Sequence, residues 1–372
     1  MHAITEPGRE IPVVIEADIV VCGGGPGGLP AAVAAARHGA NVLLIERYGF
    51  LGGLATAGLI APLLGHAASR SNRPIVEGLL RETVERMHAL GGAPSWQEAC
   101  QEWGIRFNAE AFKRVADEMV QEAGVNLLLH TLVTDAIVED DRITATNTMH
   151  RDHFSPNMTR WAGDPTDVRD LTQAELDIRR DVWDLLAFLK EEVPGFENCY
   201  LRLTSPQVGV RESRQVIGDY VLTGEDVQQG RKFKDAVARG SWYIDVHCPL
   251  GETYLVHLCV IECPKQENCP FWAAEHNKSM ISRDDLYPPD DDWYDIPYRC
   301  LMPKGINNLL VSGRCISATH EAMAGARVMG TCMAIGQAAG TAASLSVCHE
   351  VWPRDVDADE LRRVLQADGA LV

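Results

Sequence analysis

Within the first fifty residues the spacing of apolar positions changes twice. Val13 to Cys22 is a β-branched run that ends in glycines, Leu29 to Arg37 is alanine-rich and closed by Gly39, and Asn41 to Ile45 is a second apolar run ending at Glu46. The β-branched runs predict strands, and the small-residue stretch between them predicts a helix with a glycine stop. Together they make one strand-helix-strand unit of about 30 residues, the length that a parallel crossover needs. Farther on, apolar residues recur at spacings of three and four from Pro74 to Leu90 and from Ala109 to Ala123, with Gly91 and Gly124 as stops, which predicts two surface helices. Val125 to Leu132 and Ala136 to Val138 predict further strands of the same lobe, separated by Val133, Thr134 and Asp135.

Beyond Ile143 the pattern changes. Asn147 to Asp170 is polar, with histidines, prolines and aspartates, and leads into a helix expected over Thr172 to Glu192. Thr172-Gln173-Ala174-Glu175 has capping-box spacing at that start, and Trp183 reads as a core residue of the helix. The acidic run Asp290-Asp291-Asp292 reads as a solvated loop. Asn308 to Ser312 then predicts a returning strand that ends at Gly313, and Val328 to Leu345 a small-residue helix. The expected fold class is α/β: a discontinuous Rossmann-like lobe with a parallel sheet over residues 13–146 and 296–350, and a second α+β lobe for substrate over residues 147–295. Residues 351–372 are expected as a C-terminal helix or tail.

Composition narrows the function classes. With 34 basic against 52 acidic residues the net charge is −18, which repels a phosphate backbone and an anionic membrane surface, so nucleic acid and membrane partners are not expected. The apolar stretch Leu51 to Ala68 is interrupted by Gly52, Gly53, Gly58, Pro62 and Gly65 and does not read as a membrane span. The first ten residues contain no apolar secretory core, and eleven scattered cysteines, an odd number, predict reduced thiols. A soluble cytoplasmic protein is expected; its partner is a small-molecule substrate, and the sequence also admits a homo-oligomer.

The glycines after the first strand carry the chemistry. Gly23-Gly24-Gly25-Pro26-Gly27-Gly28 contains G-x-G-x-x-G as Gly23, Gly25 and Gly28, placed between a strand and a helix. The first glycine permits the tight turn, the second lets backbone approach a pyrophosphate, and the third lets helix and sheet pack closely. The helix N-terminus offers unpaired N–H groups to phosphate. Glu46, eighteen residues after Gly28, ends the second strand where a carboxylate accepts ribose hydroxyls. Pro30 is awkward, because near the fifth helical position its missing N–H would leave a carbonyl unpaired.

That unit alone does not separate FAD from NAD(P). Two further stretches favour flavin: the glycine-rich Gly49 to Gly58, which includes Gly52 and Gly53, and the C-terminal return Leu309-Leu310-Val311-Ser312-Gly313-Arg314-Cys315 with the helix around Gly336 to Ala343. These motifs, with Arg211-Glu212-Ser213-Arg214, Gly218-Asp219-Tyr220, Tyr294-Asp295-Ile296-Pro297-Tyr298-Arg299 and Ala318-Thr319-His320, resemble those of FAD-dependent oxidoreductases of the fumarate-reductase-like kind with a glutathione-reductase-type FAD fold. The resemblance covers roughly half the chain. It implies that Gly23, Gly25, Gly28, Glu46, Arg47, Gly53, Val133, Gly313 and Arg314 contact FAD; Pro26, Gly27 and Gly52, in the same glycine-rich stretches, are expected to bind the cofactor as well. The chain departs from that family after Ile143, where a further strand region with an Ala-Thr-Gly-Asp motif is expected and the sequence passes almost at once into the second-lobe pattern.

An FAD enzyme of this kind needs a substrate cradle and a proton-transfer group. Arg211 and Arg214 suit a carboxylate, or else pair with Glu212 or a nearby aspartate. His320, just past the Gly313-Arg314 turn, is the first candidate for acid-base work, followed by His247 with Asp245 at strand spacing. Arg299 and Arg327 are lesser candidates that neutralise charge. His257, Cys259, Cys263 and Cys269 lack a standard metal spacing, so no metal is expected. The expected function is hydride transfer between flavin N5 and a small organic substrate. The alternatives are an NAD(P)-binding oxidoreductase and a non-catalytic flavin-fold binding or scaffold protein.

Overall fold

The structure is a computed structural model that describes residues 13–60, 62–139, 142–149, 161–192, 201, 204, 206–246 and 284–372. It opens with β1 (Ile19–Cys22), α1 (Gly28–Arg37) and β2 (Val42–Ile45), and β2 lies in a parallel sheet between β1 and β3 (Asn126–Leu128). All four β2 side chains are buried, as a central parallel strand covered on both faces requires. The first strand is shorter than expected. Val13, Val14 and Ile15 are exposed ahead of the sheet, and pairing starts where the Asp18 and Ile19 N–H groups donate to Asn41 O at 3.0 and 3.2 Å. α1 begins at Gly28, so Pro30 is its third residue; a first-turn N–H has no intrahelical acceptor, and the proline costs α1 no internal bond.

Between β2 and β3 lie α2 (Leu79–Ala89), α3 (Trp96–Ala99) and α4 (Ala109–Glu122). Asn108 starts α4 by accepting from the Glu110 and Ala111 N–H groups, and Gly124, at φ +76°, follows its end. β4 (Leu132–Glu139) and β5 (Arg142–Met149) form an antiparallel hairpin where one short strand was expected. Register shifts at Val133/Asp135 and Ile137/Val138 interrupt the ladder. The expected boundary after residue 146 falls inside β5.

The long helix α5 (Val168–Glu192) starts four residues before its expected capping box. Asp167 accepts from Arg169 N–H at 2.7 Å, Thr172 donates back to Val168 O at 2.6 Å inside the helix, and Glu175 accepts from the distant Val208 N–H at 2.9 Å. Trp183, expected in the core, is 61% exposed. Next come α6 (Gly224–Gln228), β6 (Ala236–Gly240) and β7 (Tyr294–Pro297), with β6 and β7 antiparallel from Ala236↔Pro297 to Gly240↔Tyr294. The expected boundary before residue 296 falls inside β7. The acidic run is ion-paired as well as solvated: Asp290 meets Arg70 at 3.3 Å, Asp291 meets Arg73 at 3.1 Å and Asp292 meets Lys232 at 2.9 Å.

The chain ends with α7 (His320–Ala326), α8 (Met329–His349) and α9 (Ala358–Ala367). α8 is buried almost all round. Met329 and Met333 join the core of α1, β2, α2 and α4, whereas Ile335, Ala338, Ala339 and Ala342 join the core around β6 and β7. A helix serving two cores has no polar face, which explains its small-residue sequence. Its glycines set the approach to α1: a Cβ on Gly336 would lie 2.0 Å from Gly27 O, and one on Gly340 would lie 2.1 Å from Ala31 O. Asn308–Ser312, expected as a strand, lies in no ladder; Val311 N–H donates instead to Leu301 O at 2.9 Å.

Candidate functional site

Three glycine segments converge where β1 runs into α1. Gly23 turns the chain at φ +104°, and a Cβ on Gly28 would lie 1.7 Å from Gly23 O, so only glycine fits there. Gly52, at φ +108°, donates its N–H to Gly24 O at 2.9 Å, and a Cβ on Gly53 would lie 2.8 Å from Gly25 Cα. From the other side, a Cβ on Gly27 would meet Ser312 Oγ at 2.8 Å and Gly313 N at 3.1 Å. The N–H groups of Gly25, Gly27 and Gly28 have no acceptor among the described residues, and the first turn of α1 carries no acidic side chain. Unpaired donors at a helix N-terminus make an anion cradle.

Glu46 lies at the edge of this cradle. It is 5% exposed, and its two carboxylate oxygens accept from Gly24 N–H at 2.7 Å and Tyr48 N–H at 3.0 Å. Each oxygen keeps a lone pair for a further donor. Arg47 is exposed, donates to the Tyr48 hydroxyl at 2.5 Å and to Gln207, and lies 4.6 Å from the centre of the Tyr48 ring. Thr131 N–H donates to Glu46 O at 2.9 Å, which brings the chain to half-buried Val133 two residues later.

Arg314 follows Gly313 and donates to the backbone carbonyl of Val210. Burial holds its guanidinium below the usual arginine range; the Cys332 and Cys315 thiols oppose this and Arg47 adds to it. No carboxylate pairs with Arg314 among the described residues. A cation placed this way, beside a second cation and a set of unpaired N–H groups, suits a bound anion.

Two residues beyond Val210, Glu212 organises a second cluster. One carboxylate oxygen bonds His320 Nδ1, and the other accepts from Arg327 Nη1 at 3.3 Å. Arg327, only 8% exposed, also donates to Asp245 O at 2.8 Å, and Arg211 lies 3.8 Å from Asp245 Oδ2. His320 is 43% exposed. Partial desolvation pulls its pKa down, but the hydrogen bond and charge of Glu212, helped by Glu321, outweigh that and the repulsion of Arg327, so the imidazole titrates above its ordinary value.

His320 and Arg211 therefore share one cluster, while Arg214 is exposed and Arg299 is engaged elsewhere. Arg299 makes two bonds to Asp235, at 2.9 and 3.0 Å, and lies 5.1 Å from the centre of the Tyr220 ring. His247, His257, Cys259, Cys263 and Cys269 lie outside the described residues. Cys22, Cys100, Cys300, Cys315, Cys332 and Cys348 are free thiols. The sequence does not show that Glu212 joins His320 to Arg327, although Arg327 is among its lesser candidates. The Arg-Glu-Ser-Arg stretch contained the signal, but Glu212 was weighed there only as a partner for its neighbouring arginines.

The sequence profile of the FAD dependent oxidoreductase family matches residues 18–156 and 146–365. The chain belongs to that family. Its cofactor is FAD, which sets aside the NAD(P) alternative. The match divides at residues 146–156, in the stretch after Ile143 where the sequence departs from the family pattern. Among known proteins, the chain is similar to digeranylgeranylglycerophospholipid reductase 1 of Methanococcoides burtonii, 26% identical over 171 residues that cover 41% of each chain. It thus spans about two fifths of that relative's length. Similar solved structures include THI4 of Thermovibrio ammonificans, at TM-score 0.26 and 17% identity over 36% of this chain and 47% of that one. The flavin-dependent brominase Bmp2 matches at TM-score 0.25 and 20% identity over 36% of this chain and 34% of that one.

The residues present fit FAD. The glycine contacts leave no room for side chains at Gly27, Gly28 and Gly53, the unpaired N–H groups suit a pyrophosphate, and Arg314 adds a cation without a carboxylate partner. Among the described residues, no helix is long and apolar enough to cross a membrane.

Proposed function

We propose that this oxidoreductase moves a hydride between FAD and a small organic substrate, with His320 as the proton-transfer group. FAD, when bound, supplies the ring position N5 that gives or takes the hydride. In this reading Gly23, Gly25, Pro26, Gly27, Gly28, Gly52 and Gly53 cradle the pyrophosphate, and Glu46, Arg47 and Val133 serve the ribose and adenine end. Gly313 and Arg314 approach the cofactor from the C-terminal return. Arg211 and Arg214 supply positive charge for an anionic substrate group.

One observation carries the reading. The strap from Val210 to Glu212 holds Arg314 through Val210 O and His320 through the Glu212 carboxylate. A cation beside the Gly27–Gly313 contact and a titratable imidazole are thereby held two residues apart on one segment. The imidazole, with Nδ1 bonded to Glu212, offers Nε2 to exchange a proton with substrate.

The test is an anaerobic screen of small organic substrates followed by loss of flavin absorbance. With a substrate that bleaches the wild type, His320→Asn should retain FAD and slow bleaching by about 10²–10⁴-fold, the usual contribution of a positioned acid or base. A His320→Asn protein that bleaches at the wild-type rate would remove His320 from the reaction.

A further inference from the structure

We propose that Glu212 and Arg327 form a positioning pair for His320: Arg327 pins one carboxylate oxygen so that the other holds imidazole Nδ1, leaving Nε2 as the nitrogen that exchanges protons. This rests on the reading of His320 as the proton-transfer group, and it assigns work to two residues that touch neither substrate nor cofactor in that reading.

The geometry is that of a relay with its far end fixed. Glu212 bridges the two side chains, taking His320 Nδ1 on Oε1 and Arg327 Nη1 on Oε2, the latter at 3.3 Å. Arg327 cannot swing freely, because its other terminal nitrogen donates to Asp245 O at 2.8 Å and its side chain is only 8% exposed. Its own charge is disfavoured by burial and supported most by Glu212. His320 opens α7, with Thr319 capping the helix by accepting from Ala322 N–H, which fixes the backbone from which the imidazole projects. A carboxylate bonded to one imidazole nitrogen selects the tautomer with the proton on that nitrogen and the free lone pair on the other.

Among the described residues, the charged groups that act on His320 are Glu212, Glu321 and Arg327, and they predict opposite signs for two variants. Glu212→Gln removes the main group that favours the imidazolium; Glu321 still favours it, while partial desolvation and Arg327 oppose it. Arg327→Gln removes a repulsion and leaves Glu212 in place, but less firmly held.

The test is titration of the holoenzyme carrying ¹⁵N-labelled histidine, with the His320 signal identified by its loss in His320→Asn. In the wild type His320 should titrate above 6.5 and, once neutral, show one tautomer protonated at Nδ1. In Glu212→Gln the midpoint should drop below that of the wild type and the tautomer preference should disappear, while Glu212→Asp should recover both in part. In Arg327→Gln the midpoint should rise as the tautomer preference weakens. An unchanged His320 signal in Glu212→Gln, or a midpoint that moves the same way in both Gln variants, would overturn the positioning pair. If Glu212→Gln fails to fold, Glu212→Asp and Arg327→Gln decide by the same signs. Failure of the underlying reading looks different: His320→Asn would then bleach with substrate as fast as the wild type, whatever the titrations give.

Discussion

Gly24 donates its backbone N–H to the buried carboxylate of Glu46 at 2.7 Å, tying the glycine turn to the end of β2. The other oxygen holds Tyr48 N–H, so Glu46 shapes the cradle as well as facing it. Glu46→Ala leaves both donors without their acceptor. The expected outcome is a loss of about 1–3 kcal/mol in stability together with weaker FAD retention. Glu46→Gln, which keeps one acceptor oxygen, should lose less of both, as read by urea unfolding and by flavin absorbance after gel filtration.

Gly28 tests the packing of the same turn. Its absent Cβ would overlap Gly23 O at 1.7 Å and Gly23 C at 2.9 Å, both backbone atoms with no rotamer to yield. Gly28→Ala should therefore cost more than 3 kcal/mol, roughly the upper range for overpacking, or yield no soluble protein. Gly39→Ala is the contrast. Nothing lies within 4 Å of a Cβ there, so only the strain at φ +91° remains, at a cost of about 1 kcal/mol. Equal thermal midpoints for the two variants would contradict the overlap.

The Arg37–Glu82–Arg86–Glu122 network gives stability an acid limb. Arg37 grips Glu82 through two bonds of 2.7 Å, and Arg86 bonds it at 2.9 Å while reaching Glu122 at 2.6 Å. The Arg37 hydrogen bond, against the pull of burial, holds the Glu82 carboxyl below its usual range. Its contribution is thus complete above the unfolded value of 4.5 and is lost as pH falls from there through the folded value. Solvent screening limits the effect to about 0.5–1 kcal/mol. Between about pH 7 and pH 3.5, Glu82→Gln should lose less stability than the wild type; parallel pH curves would rule the network out as a source.

These features differ in how much of them the sequence displays. The β1–α1–β2 unit is local, and the residues from Gly23 to Glu46 carry strand, turn and helix patterns within one continuous stretch. The meeting of Gly25 with Gly53 and of Gly27 with Gly313 spans up to 286 positions, and no local pattern records it. The β4–β5 hairpin exceeds the one short strand expected there, and register shifts interrupt its ladder at Val133/Asp135 and Ile137/Val138. The start of α5 was misread because Thr172 and Glu175 fit a capping box by spacing while spending their side chains elsewhere. In the site, the type of residue at His320 was legible, but its partner was not. Glu212 lies 108 positions away and sits between two arginines, so in the sequence its neighbouring charges account for it.

The central claim is that the glycine convergence and Arg314 hold FAD, and bound flavin per chain tests it most directly. Purified, FAD-reconstituted wild type should carry about one FAD per chain, with two visible bands that bleach with dithionite. Arg314→Met should fold, since the one bond Arg314 makes among the described residues is to a carbonyl, yet retain markedly less flavin through gel filtration. A wild type that refuses added FAD, or an Arg314→Met protein that keeps its flavin as tightly as the wild type, would contradict the account.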